Sequence, residues 1–188
     1  MPEEQFYDAR YDIASEITEE TVKLAISGLN TASKDEKILI HLPYNNGGET
    51  DAAIELIEAV KATDATVTIE ADRYVISAAA FIFVWFIVYP EDHVSVDTTD
   101  EIGPIIIYHR PRYVMDDDRI EFLSDITPQT LGWDDLNFIT DKFDAVFDEL
   151  LGLLGYDPSI HQVDAGARFS LEHDKNAYYS NYDVAIPY

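Results

Sequence analysis

A serine, a histidine and a pair of glycines in this chain have the types and order that acyl-transfer chemistry uses. Ser77 stands at the head of the apolar segment Ala78–Val84, and His109 follows the apolar run Ile105-Ile106-Ile107-Tyr108. Gly47-Gly48 comes earlier, after Lys37-Ile-Leu-Ile-His-Leu and Asn45-Asn46. A serine hydroxyl becomes an effective nucleophile when a neutral imidazole removes its proton. The carbonyl oxygen it attacks becomes negative and needs fixed donors. Glycine backbone can approach that oxygen closely, and a helix start supplies N–H groups with no intrahelical partner. Chain order here is Gly-Gly, Ser, His. It differs from the nucleophile-elbow hydrolases, and no Gly-x-Ser-x-Gly is present.

The elements that must position these residues are legible as periodicities. Tyr11–Ile17 reads as a short strand. Thr18-Glu19-Glu20 reads as a helix start with Thr18 as N-cap, followed by Val22, Ala25, Ile26 and Leu29 at helical spacing. Lys37–Leu42 is a buried-strand run ended by Gly47-Gly48. Thr50 or Asp51 then caps a helix through Ala53, Ile54, Ile57 and Val60. Ala65–Ala71 alternates as a strand, Ala78–Val84 is an apolar helix, and Val94-Ser-Val and Ile105–Tyr108 are strands. Strands alternating with helices predict a mostly parallel sheet with right-handed crossovers. Arg110–Trp133 reads as irregular, with Asp116-Asp117-Asp118 in a solvated loop. A long helix follows at about 134–155, its apolar side carrying Leu136, Ile139, Phe143, Val146, Phe147, Leu150, Leu151 and Leu154. That side is either core or an interface. Asp157–Arg168 reads as a short helix or turn. His41 sits mid-strand and reads as structural; His93, His161 and His173 read as surface or loop residues.

Bulk composition narrows the partners. A chain of 188 residues with 47% hydrophobic and 12% aromatic residues predicts one folded domain, 1–188, with a real core. Its formal charge of −25 disfavours nucleic acid and anionic membranes. Such a surface keeps an assembly soluble, suits a salty medium, or attracts a basic partner or substrate. Without cysteine, disulfide and thiolate chemistry are excluded. The uncharged stretch Val75–Tyr89 is shorter than the roughly 20 residues that span a bilayer. No signal sequence is recognisable, so the expectation is a cytoplasmic protein.

Four segments, in order over Tyr11–Pro111, resemble the proteolytic subunit of the Clp protease, ClpP. Tyr-Asp-Ile-Ala-Ser-Glu-Ile at 11–17 is similar to the family's first strand and turn. Ile-Leu-Ile-His-Leu-Pro-Tyr-Asn-Asn-Gly-Gly at 38–48 resembles its strand ending in Asn-Ser-Pro-Gly-Gly. Val-Ile-Ser-Ala-Ala-Ala-Phe at 75–81 resembles Ala-Ala-Ser-Met-Gly-Ala-Phe around the nucleophile, and Ile-Tyr-His-Arg-Pro at 107–111 resembles Ile-His-Gln-Pro around the histidine.

The resemblance implies an α/β fold of the ClpP/crotonase type: repeated β-β-α units, a mostly parallel sheet, flanking helices and a projecting long helix. It implies a serine endopeptidase in which Ser77 is nucleophile and His109 general base. The Gly48 and Ala78 N–H groups would form the oxyanion hole, and extended substrate would pair along Asn45, Asn46 and Gly47. No cofactor or metal is implied. Self-association into rings, stacked in pairs, is implied, with a ClpP paralogue or an ATP-dependent unfoldase as further partners. The short segment before the first strand makes the unfoldase contact doubtful. Three departures stand out. Ala167 precedes Arg168-Phe169 where the family has its acid, which leaves Asp164 as the candidate orienter and Asp157 and Asp174 behind it. Arg73 and Ala79 replace family glycines around the nucleophile. These departures motivate a rival expectation, a catalytically degenerate subunit that serves as scaffold or modulator of a mixed ring.

Overall fold

The computed structural model describes residues 6–98, 103–157, 159 and 165–186. The chain is α/β and forms two compact units, one ending at Ile106 and the other comprising Ile107–Ile186.

In the first unit, β1 (Ala9–Asp12), β3 (Lys37–Leu42), β5 (Thr66–Ala71) and β7 (Val94–Thr98) form a four-stranded sheet in the order β1-β3-β5-β7. Every pairing in it is parallel. Its central strand β3 has five of six residues buried, as expected of a strand covered on both faces. A second layer contains β2 (Ser15–Ile17), β4 (Asn45–Gly48) and β6 (Tyr74–Ile76), also paired in parallel. Helices α1 (Glu19–Leu29), α2 (Thr50–Ala62) and α3 (Ala78–Val88) follow β2, β4 and β6 in turn.

Two of these boundaries differ from the sequence reading. Tyr11–Ile17 is two strands in different sheets, because Ser15 adopts φ 72 and turns the chain between them. Asn45–Gly48 is itself a strand, and Pro43-Tyr44 is the break after β3. The caps follow the same local logic. Thr18 and Thr21 hydrogen-bond reciprocally at the start of α1, with Thr21 N–H donating to Thr18 Oγ1 at 3.2 Å and Thr18 N–H to Thr21 Oγ1 at 2.9 Å. At α2 the N-cap is Glu49 rather than Thr50 or Asp51, and its carboxylate accepts the Glu19 N–H at 3.0 Å. Helix α3 is apolar on every side, and Ala78 through Val84 are all buried. It is a central helix rather than an amphipathic one.

The second unit is built from the rest of β8 (Ile105–Tyr108), β9 (Arg112–Val114), β10 (Ile120–Phe122), α4 (Trp133–Leu153), α5 (Ala165–Tyr179) and β11 (Val184–Ile186). Strands β9 and β10 form an antiparallel hairpin where the sequence reads as irregular. Asp116, Asp117 and Asp118 are exposed at its turn, and Asp118 takes φ 60. The long helix matches its expected position. Its apolar stripe is core: Leu136, Ile139, Phe143, Val146, Phe147, Leu150 and Leu151 are buried. Phe147 stacks on Tyr178 at 3.9 Å between ring centroids and on Tyr108 at 5.9 Å. Helix α5 lies mostly beyond Arg168, where the sequence reading names no element, and much of the turn expected over Asp157–Arg168 lies outside the described residues. No described helix is long and apolar enough to cross a membrane.

The Phe147 ring ties α4 to both β8 and α5, so its removal leaves a cavity between three elements. Phe147→Ala is expected to cost about 3–5 kcal/mol of stability, read as a lower urea midpoint at unchanged slope.

Candidate active site

Ser77 lies between β6 and α3 with φ 56 and ψ −121, a conformation that non-glycine residues rarely adopt. Such a residue costs on the order of 1–3 kcal/mol and persists only when its surroundings over-determine it. Here the buried helix on one side and the paired strand on the other supply that constraint. The serine is the N-cap residue of α3, yet its side chain makes no capping hydrogen bond. An ordinary capping serine has extended backbone and spends its oxygen on the N2 or N3 amide. The Ser77 hydroxyl is half-buried and not so used. The first intrahelical bond of α3 runs from Phe81 N–H to the Ser77 carbonyl at 2.8 Å, so the Ala78 N–H precedes it.

The Asn45–Gly48 strand is pressed against this turn. Gly47 has φ 87, and a Cβ there would stand 2.5 Å from Ser77 Cβ, 2.6 Å from the Ile76 carbonyl oxygen and 3.0 Å from Ala78 N. Gly48 has φ 144, and a Cβ there would run into the Ile17 carbonyl. Both glycines are therefore required by close approach as well as by dihedral angle. Beneath them, the fully buried Asn45 donates through Nδ2 to the Ile13 carbonyl at 3.0 Å and accepts the Gly47 N–H through Oδ1 at 2.9 Å. Its side chain thus holds the turn from inside, while Asn46 is exposed. A cleft of about 360 Å³ opens beside this strand, lined by Glu16, Ile17, Thr18, Asn46, Gly47, Gly48 and Glu49. Gly48 and Asn46 line this cleft and are exposed, within a strand paired to β2 on one side and to β6 on the other.

In the second unit, His109 is 5% exposed at the end of β8. Its Nδ1 lies 2.7 Å from the Arg110 carbonyl oxygen. A carbonyl only accepts, so Nδ1 carries the proton and Nε2 keeps its lone pair. Burial pushes the imidazole below its ordinary value, the Arg110 carbonyl opposes this, and Arg112 reinforces it. The result is a neutral ring in the tautomer a general base requires. Arg110 is itself anchored. Its guanidinium makes a two-pronged contact with Asp144 of α4, Nε to Oδ1 at 3.0 Å and NH2 to Oδ2 at 2.5 Å, and lies 4.6 Å from the Tyr179 ring centroid.

Asn45, Gly47, Gly48, Ser77 and Ala78 are thus brought together within the first unit, whereas His109 belongs to the second. Asp164 lies outside the described residues. Among the described residues no carboxylate hydrogen-bonds His109; the Arg110 carbonyl takes the place such an acid would hold. Asp183, just before β11, is the acid whose charge reaches the ring. Sequence reading passed over both, since a main-chain carbonyl has no side-chain signature and Asp183 is distant in the chain. Asp157 instead caps a local turn, accepting from Ser159 N and Oγ at 2.7 and 2.6 Å. Comparison with protein-family models and with curated proteins gives no match.

Gly47→Ala is expected to lower stability by at least about 1–3 kcal/mol, because both the positive φ and the backbone contacts must yield. Gly152→Ala is the control. That glycine lies inside α4 with no heavy atom within 4 Å of an added Cβ, so alanine should stabilise by roughly 0.5–1 kcal/mol. Denaturant melts of the two variants check both signs.

Proposed function

We propose that this chain is a serine peptidase resembling the Clp protease proteolytic subunit, cleaving peptide bonds through an acyl-enzyme on Ser77. The observation that carries the reading is the strained Ser77 turn. It sits at the head of a buried helix, makes no cap bond, and is packed against Gly47. A structural cap would need neither the strain nor the glycine. The element order supports a ClpP/crotonase-type fold, since two strands precede each of α1, α2 and α3.

In the proposed reaction the Ser77 oxygen attacks the peptide carbonyl while its proton passes to His109 Nε2. The oxyanion is held by the Gly48 and Ala78 N–H groups. Collapse expels the amine, which takes the proton from His109. A water, deprotonated by the same Nε2, then releases the acid and regenerates Ser77. The Arg110 carbonyl keeps Nδ1 protonated through both halves. Substrate would lie extended along Asn45–Gly48, where Glu16 and Glu49 favour basic side chains. No cofactor is required by this chemistry. Assembly into single or double rings, and any unfoldase or paralogous partner, rest on the resemblance and are read by analytical ultracentrifugation.

A specific observation favours the rival reading of a degenerate, scaffolding subunit. The Nδ1 partner of His109 is a carbonyl, and Ala167 stands exposed on α5 where the family carries its acid. Fluorophosphonate labelling separates the two readings. The peptidase reading expects one adduct by intact mass, abolished in Ser77→Ala and reduced about 10²-fold or more in His109→Ala. No adduct on folded, assembled protein would overturn it in favour of the scaffold.

The pH dependence carries a second test. Because burial depresses the His109 imidazole, its base form should persist below the ordinary value of about 6.5, and the acid limb of the labelling rate should lie below that pH. The linked stability has the same direction. It is present above the unfolded value and is lost as pH falls through the lower folded one. A limb at or above about 6.5 would assign the titration to another group.

A further inference from the structure

A second cluster lies in the first unit, away from the serine turn, and is created by strand register. Asp12 pairs with His41, His41 with Glu70, and Glu70 with Asp97, so one row runs across all four parallel strands. The row is at the carboxyl ends of the strands, where open α/β sheets hold their ligands. Asp72 follows one residue beyond β5 and turns back onto the same row.

The His41 side chain is 6% exposed, and its two nitrogens have different company. Nε2 lies 2.9 Å from Asp72 Oδ2 and 3.7 Å from Glu70 Oε1. Nδ1 lies 2.5 Å from Asp12 Oδ1, and Arg10 NH2 is 2.6 Å from it; Arg10 Nε also donates to Asp12 Oδ1 at 2.9 Å. The three atoms His41 Nε2, Glu70 Oε and Asp72 Oδ all fall within 4.8 Å of one another. Donors bound to one ion at about 2.0–2.2 Å stand roughly 3–3.5 Å apart, so the observed separations bracket a coordination sphere.

We propose that His41 Nε2, Glu70 and Asp72 are the protein ligands of a divalent transition-metal site, with zinc the fitting ion and open positions left for water. Three observations beyond the acidic residues support it. The nitrogen donor is a histidine almost wholly removed from solvent. Its remote nitrogen, Nδ1, lies beside the Asp12 carboxylate, the kind of acceptor ligating histidines use to fix tautomer and aim, and also beside Arg10 NH2. That carboxylate is in turn held by Arg10, whose Nε donates to Asp12 Oδ1. Glu70 and Asp72 bring two carboxylates to the same imidazole nitrogen. A divalent cation would neutralise the pair. One imidazole with two carboxylates suits zinc or manganese better than calcium, which takes oxygen donors only.

The test uses the full chain after chelator treatment. Equilibrium dialysis against Zn²⁺ with metal analysis should give one equivalent per chain, accompanied by a raised melting temperature. Substituting Co²⁺ should give visible d–d absorption well above that of aqueous Co²⁺, a sign that the ion is held in a low-coordinate protein site in the unmodified chain. Glu70→Gln and Asp72→Asn preserve shape and should weaken Zn²⁺ roughly tenfold or more. Three outcomes would overturn the proposal. One is no stoichiometric zinc and no cobalt spectrum from folded protein. Another is several weak equivalents that Ca²⁺ displaces and the variants do not alter, which would be binding to the general acidic surface. The last is a melting temperature that responds to pH between 5 and 8 but not to zinc, which would make a proton on His41 the occupant.

Discussion

The first unit is organised by an approach too close for any side chain. Gly47 lies against Ser77, Ile76 and Ala78 so tightly that even a methyl group would overlap backbone. This contact forces the β4 strand, the β6–α3 turn and the start of a buried helix into one place. It also makes the Ser77 conformation sustainable, because a strained residue survives only where its neighbours leave it no alternative. Asn45 closes the arrangement from beneath by spending both ends of its amide on main-chain partners. The unusual serine, the paired glycines and the buried asparagine are consequences of one packing requirement.

The histidines show how the same side chain is given different tasks by its surroundings. His109 is buried with a main-chain carbonyl on Nδ1, and burial, the largest influence, holds the imidazole below its ordinary value. His41 is as buried but stands in a row of carboxylates, with Asp12 at Nδ1 and Asp72 and Glu70 at Nε2. The decisive neighbour is the next residue in one case and two other strands in the second. For His109 it is the peptide of Arg110, locked by Asp144 more than thirty positions on. For His41 it is strands β1 and β5 on either side of β3.

Much of the fold could be read from pattern. The apolar run of β3, the helical spacing of α1 and α2, the all-round apolarity of α3 and the stripe on α4 each predict the element found there. The misreadings have physical causes. Two strands merge into one over Tyr11–Ile17, because a serine with positive φ carries no sequence warning of a turn. The β9–β10 hairpin is hidden by an acidic turn that lowers the apparent strand signal. Helix α5 is hidden by composition, since among its described side chains Leu171 and Tyr178 are the buried ones.

Residue types and their order were enough to nominate Ser77, His109 and the Gly47-Gly48 turn, because nucleophile, base and close-approach glycine are chemical properties of the residues themselves. Order also sufficed for an α/β chain with a mostly parallel sheet. Tertiary structure alone decided the conformation of Ser77, the tautomer of His109 and the gathering of Asp12, His41, Glu70 and Asp72 at one sheet end. The reason is that each depends on which atoms stand within about 3 Å once the chain has folded. A sequence carries side-chain chemistry and local period; strand register and the direction of a hydrogen bond exist only once the strands are paired.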